Sequence, residues 1–137
     1  MQTLTLIRHG ETDWNREGRI QGDMDSDLSD LGRRQAEHLK SRLAPEKFDA
    51  VYASTATRAA ETARIAVGHR IDVQPRGALR EINLGAWEGV LVTELKKRYP
   101  RDAELWFRNP SQVEIENAES LRSFRRRVTR EINRILG

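Results

Sequence analysis

Cysteine is absent from this chain. It can therefore form no disulfide and no thiolate metal site, and it lacks the usual mark of a small secreted scaffold. Long apolar runs are absent too: no stretch approaches the ~20 apolar residues that span a bilayer. The N-terminal MQTLTLIRHG has too short an apolar run, and no small-residue cleavage site, to read as a leader. A large charge of one sign is also missing. There are 24 Lys+Arg against 21 Asp+Glu, a net charge of +3, which admits anionic ligands without demanding nucleic acid. These absences predict a soluble protein, most simply cytoplasmic, with no membrane association. The 137 residues suffice for one domain, since chains near this length bury roughly two-thirds of their unfolded surface. Internal repeats, low-complexity tracts and linkers are not evident.

What is present alternates between strand and helix signals. Leu4-Thr5-Leu6-Ile7 is β-rich and followed by Gly10, which predicts a strand with a turn at its carboxyl end. Residues 15–27 are polar and carry Gly18 and Gly22, the pattern of a loop. Ser29 or Asp30 can cap a helix reaching about Leu43, with Leu31, Gln35, Leu39 and Leu43 on one stripe and Pro45 as its stop. FDAVYA (residues 48–53) reads as a second strand. Ser54 stands in a helix N-cap position before TATRAAETARIAV, and Gly68 stops that helix. Ile71-Asp72-Val73 is a third short strand. The order strand-helix-strand-helix-strand predicts an α/β fold, a parallel sheet with helices on its faces. Beyond Pro75 the pattern loosens through LREINLGAWEG. LVTELKKRY looks helical up to Pro100, and Trp106, Phe107 and Pro110 suggest a packed excursion. From about Ala118, Leu121, Phe124, Val128, Ile132 and Ile135 recur at helical spacing, an amphipathic helix whose arginines lie mostly off that stripe.

Arg8 and His9 then fall at the carboxyl end of a parallel strand, where open α/β sheets hold their ligands. Arg58 lies in or near the first turn of the helix after the second strand, where free N–H groups and the macrodipole favour an anion. Taken singly, a solvated strand end or an ion pair with Glu61 or Glu11 accounts for each arginine. Two strand ends offering arginines to one sheet edge would instead clamp a phosphoryl group, and the clamp gives His9 a purpose. A neutral imidazole is a competent nucleophile for phosphorus, and neighbouring guanidinium groups disfavour its protonation. Arg8 and Arg58 would also stabilise the equatorial oxygens of a loose transition state, so the chemistry needs no metal and no cofactor. His9, Glu11 and Asp13 alternate as ligands on a strand face would, but Gly10 ends the strand before them. Glu81 precedes Gly85 and Gly89 in a loop able to carry a carboxyl over a ligand, as a general acid requires; a pairing with Arg80 is its plainer fate.

RHGET near the N-terminus, STATRAAET about fifty residues later and REINLGAWEG after that resemble the histidine phosphatase superfamily in its phosphoglycerate-mutase-like branch. The resemblance follows the family order from Met1 into AESLRSFRRRV. It implies a three-layer sandwich built on a mostly parallel sheet. It further implies that His9 is transiently phosphorylated, that Arg8 and Arg58 hold the phosphate, and that Glu81 donates the proton. Asn15, Gln21 and Gly22, in WNREGRIQG, match the loop that helps line the family's phosphate pocket.

One family feature has no counterpart. A second histidine normally stands in a Ser/Thr-His-Gly motif at the end of a late strand beside the first, whereas this sequence closes on RVTREINRILG. His38, in a helix, and His69, in a polar turn, are expected at the surface. The expectation is thus a single 1–137 domain lacking the family's last strand or strands, with weakened or no activity and an exposed sheet edge through which copies could associate. A phosphatase acting on small phosphate monoesters is the leading reading. The compact segment after the glutamate motif favours it over a phosphomutase, whose insertions there are longer. A non-catalytic phosphate-binding module is the third reading. Nucleic-acid binding through Arg122, Arg125, Arg126, Arg127, Arg130 and Arg134 is the weakest, because interleaved surface aromatics are missing.

Overall fold

The computed structural model describes residues 2–137. Its first regular element is a single helical turn, α1 (Asp13–Glu17), in the stretch expected to be loop. Thr12 and Asn15 explain it. The Thr12 side chain accepts from the Asn15 N–H while the Asn15 side chain accepts from the Thr12 N–H, a reciprocal capping box, and Gly18 closes the turn. Then follow α2 (Asp30–Leu43), β1 (Val51–Ser54), α3 (Thr57–Val67) and β2 (Val73–Arg76). The two strands pair in parallel, Val51 opposite Val73 and Ser54 opposite Arg76, with α3 as the crossover. The expected α/β class and parallel pairing are both present.

Ser29 caps α2, accepting from the Gly32 N–H at 3.0 Å, as its sequence position predicts. The buried face of α2 is displaced from the leucine stripe, however. Gly32, Ala36 and Leu43 are buried, while Leu31 is 42 % exposed. The reason is the neighbour: α3 presents Ala60, Ala66 and Val67, and small side chains on both helices let the axes approach. Arg70 ties the two helix ends together, donating to the carbonyls of Leu43, Ala44, Ala66 and Val67, which no intrahelical donor reaches.

Two strand expectations change. Leu4–Ile7 forms no strand: among the described residues no backbone runs alongside it to make a ladder, and Leu6 is 80 % exposed. The third strand begins at Val73 rather than Ile71, because it pairs only where β1 lies beside it.

The second half of the chain collects around Trp87. Two short 3-10 turns (Gly77–Leu79 and Gly85–Trp87) lead into α4 (Val92–Arg98) and α5 (Pro100–Arg108). Pro100, expected to stop a helix, also opens the next one, since its missing N–H costs nothing in a first turn. Trp87 meets Trp106 edge-on at 5.9 Å and Tyr99 at 6.2 Å, in a core with Ile82, Leu84, Leu95 and Ala103. After a further 3-10 turn (Pro110–Gln112), α6 (Leu121–Leu136) lays Leu121 and Phe124 against this core. The one buried residue of α6 is not apolar. It is Glu131, whose carboxylate lies 3.0 Å from Arg76 of β2, which itself stacks on Tyr52.

Candidate active site

The RHG segment reaches its position through two glycines. A Cβ on Gly10 would stand 2.5 Å from the Gly32 carbonyl oxygen, and one on Gly32 would strike the backbone of Glu11. Residues 10–12 therefore lie directly on the first turn of α2. Three further bonds fix them there: Glu11 N–H donates to Gln35, Ser29 donates to the Glu11 carboxylate, and Ser29 N–H donates to the Glu11 carbonyl. Gly10 N–H donates to Thr62 Oγ1 at 3.0 Å, and the same hydroxyl donates to the Arg58 carbonyl at 2.7 Å. Thr62 thus joins the histidine segment to the helix that carries Arg58.

His9 is half-buried, with Nδ1 2.7 Å from the carbonyl oxygen of Gly10. A carbonyl can only accept, so Nδ1 carries the proton and Nε2 keeps its lone pair. Burial lowers the pKa of His9 below 6.5; the Gly10 bond opposes this, the charges of Arg58 and Arg8 lower it further, and that of Glu81 raises it. The charges of Arg58, Arg8 and Glu81 thus all bear on the His9 imidazole.

Their surroundings differ from expectation in three ways. Arg8 extends from an unpaired segment rather than from a strand end, and it is exposed. Arg58 is 4 % exposed, and its partner is neither Glu61 nor Glu11. Its guanidinium donates to the carbonyls of Gly22 and Met24, each at 2.8 Å, and to Asp25 at 3.2 Å, which engages three of its five N–H groups and leaves two. The N-terminus of α3 is not free to take a ligand either. Ser54 accepts from the Ala56 N–H instead of capping the helix, and Asp25 accepts from the Thr57 N–H at 2.8 Å. An aspartate from a distant loop serves as the cap, as the helix dipole favours.

Glu81 is exposed, with one carboxylate oxygen accepting from the Ile82 N–H. Arg80 turns away from it to bind Asp23 and Asp25. Asn15 uses its amide oxygen in the α1 cap. Gln21 is buried; its oxygen accepts from Thr12 and its nitrogen is left without a partner among the described residues. A buried amide donor without an acceptor carries a desolvation cost of about 1–3 kcal/mol. Gly22 has φ +57, and a Cβ there would strike the carboxylate of Glu88, which accepts from both Asp23 N–H and Leu84 N–H. The alternative ligand set is dispersed: Glu11 is held by Ser29 and Asp13 by Arg16. No group of three or more His, Asp or Glu residues among those described could hold a metal ion. His38 and His69 are exposed, as expected.

Sequence reasoning missed Thr62, Glu88 and Asp25. Thr62 had a signal, since four residues after Arg58 it must share that helix face. The other two reach the site region through bonds to backbone N–H groups distant in the chain, Glu88 to Asp23 and Asp25 to Thr57, and had none.

The family model of the histidine phosphatase superfamily (branch 1) matches residues 4–137. Phosphoserine phosphatase 1 of Hydrogenobacter thermophilus is 40 % identical over 129 residues, covering 93 % of this chain and 61 % of that protein. Metal-independent phosphoserine phosphatase of Arabidopsis thaliana is 35 % identical over 115 residues, covering 82 % and 48 %. Among solved structures, Bacillus stearothermophilus YhfR superposes with a TM-score of 0.88 at 37 % identity, over 94 % of this chain and 64 % of that one. The chain thus spans about three-fifths of the length of the first of these relatives.

Proposed function

This chain belongs to the histidine phosphatase superfamily, and on that premise we propose that it serves a phosphatase hydrolysing small phosphate monoesters through a phosphohistidine at His9. The observation that carries the reading is the Nδ1 bond to Gly10, which leaves Nε2 unprotonated in a half-buried imidazole whose pKa is held down. Nε2 attacks phosphorus, the P–O bond to the leaving group breaks, and protonated Glu81 gives its proton to the departing oxygen. Water then attacks the phosphohistidine, loses a proton to the Glu81 carboxylate, and releases inorganic phosphate and neutral His9. Arg8 and the two remaining N–H groups of Arg58 take the phosphoryl oxygens, and Gln21, with its free buried amide, lies in the loop that follows α1, the turn that holds Asn15. The named relatives include phosphoserine phosphatases, which supports a small phosphorylated metabolite as substrate rather than a polymer. The reading requires no metal or other cofactor.

The test is acid-labile labelling by a radioactive aryl phosphate in the presence of a chelator. Label should appear in the unmodified protein and vanish in His9→Ala. On the acid side, labelling should be lost only below pH 6.5, the ordinary histidine value, since protonation removes the Nε2 lone pair and the folded pKa is the lower one. Label retained by His9→Ala removes the assignment.

A further inference from the structure

We propose that Arg127, on α6, is the positioning residue that sets where the Glu81 carboxyl stands relative to His9. This inference rests on the acid role given to Glu81 above. The basis is the use Arg127 makes of its guanidinium. Nη1 donates to the carbonyls of Ala78 (3.0 Å) and Arg80 (2.7 Å), and Nη2 donates to that of Glu81 (3.0 Å). Nε and Nη2 also bind the two carboxylate oxygens of Glu119 at 2.8 and 2.7 Å. All five N–H groups are engaged, and three of them hold carbonyls, those of Ala78, Arg80 and Glu81, in the segment that ends in Glu81. Phe124 lies under the cation at 5.1 Å. Glu119 is fixed in turn, its N–H donating to the Asn83 carbonyl.

The other side of the same segment is held by charge as well. Arg80 reaches across to Asp23 and Asp25, and Asp25 also receives Arg58. Residues 78–83 are therefore suspended between α6 and the loop that seats the phosphate-clamping arginine. They contain no long helix or strand that could position Glu81 by its own backbone ladder. Lysine could keep the charge at 127 but not the planar fork that reaches three carbonyls and a carboxylate together.

Glu81 raises the pKa of His9, so the distance between the acid and the histidine can be read by titration. The His9 imidazole is followed by proton NMR, its resonance assigned by loss in His9→Asn. Glu81→Gln is expected to lower the His9 pKa when Arg127 is intact, and the same change in an Arg127→Lys background is expected to produce less than about half that shift. Turnover in Arg127→Lys should fall more on an alkyl phosphate than on a nitrophenyl phosphate, with KM little altered, because a misplaced acid harms poor leaving groups most. Equal Glu81→Gln shifts in both backgrounds would overturn the proposal, as would no shift when Arg127 is intact. If Arg127→Lys does not fold, Glu119→Gln, which frees the guanidinium from its anchor, is judged by the same criterion. Absence of label at His9 would defeat the phosphatase reading while leaving this titration measurable, so the two failures are distinguishable.

Discussion

Around His9 the chain is held by backbone against backbone; around Glu81 it is suspended by long charged side chains from distant elements. The first flank is built from Gly10 on Gly32 and a single threonine hydroxyl. These contacts are short, neutral and stiff, and a single added methyl is felt at once. The second flank hangs on Arg127 and Arg80, whose forks bridge residues 47 and 57 positions apart in the chain. Such contacts tolerate small displacements of the backbone but depend on pH and salt. A nucleophile must be aimed closely, which rigid contacts secure. The role proposed for Glu81, donor first and then base, fits a segment held by adjustable anchors.

The sharpest way to break this contrast is Gly32→Val, which forces a side chain into the Glu11 backbone. It should destabilise the fold by about 3 kcal/mol, at the upper end of ordinary overpacking, as measured by urea denaturation. Thr62→Val comes next. It leaves the Gly10 N–H without its acceptor, a loss of about 1–3 kcal/mol for a buried donor, and Thr62→Ser should recover most of it. Neither effect should change with added salt.

Glu119→Gln probes the other flank and should cost less, about 1–2 kcal/mol for a charge-assisted bond that is partly open to solvent. Its pH dependence has a definite sign. The hydrogen bond from Arg127 is the main force holding the Glu119 pKa below 4.5 in the fold, so this stability is fully present above that value. It is lost as the pH falls from 4.5 through the lower folded pKa. The gap between unmodified protein and Glu119→Gln should therefore be widest near neutrality, close in acid, and narrow in 1 M salt. A gap independent of both would mean that the second flank is as rigid as the first.

Much of the first flank is legible in the sequence because its determinants are local. RHGET and the Ser29 cap lie within short stretches whose spacing fixes their geometry. The second flank is not. Arg127 reads as one more arginine on a solvated helix face, and only the fold reveals that the carbonyls of residues 78–81 converge on it. Glu131 misleads in the same way: a glutamate in an arginine-rich helix reads as solvated, yet it is buried against Arg76 of β2. Asp25 could not be foreseen as the cap of α3, since the sequence offers Ser54 two residues before that helix's N-cap. The leucine stripe of α2 errs for a different reason, because alanine and glycine carry little hydrophobic signal while permitting the closest helix contact.

The Gly10 amide marks a sharp boundary in solvent protection. Among the described residues no backbone bond ties down residues 3–8, whereas the Gly10 N–H is buried in the bond to Thr62. Amide protons on the two sides of His9 should thus exchange with deuterium on very different timescales, fast before it and slow just after it. His9 sits at the edge of the protected part of the chain, with its ring bonded to the residue that exchanges slowly. The imidazole is therefore referenced to the packed helices behind it rather than to the open segment that precedes it in sequence.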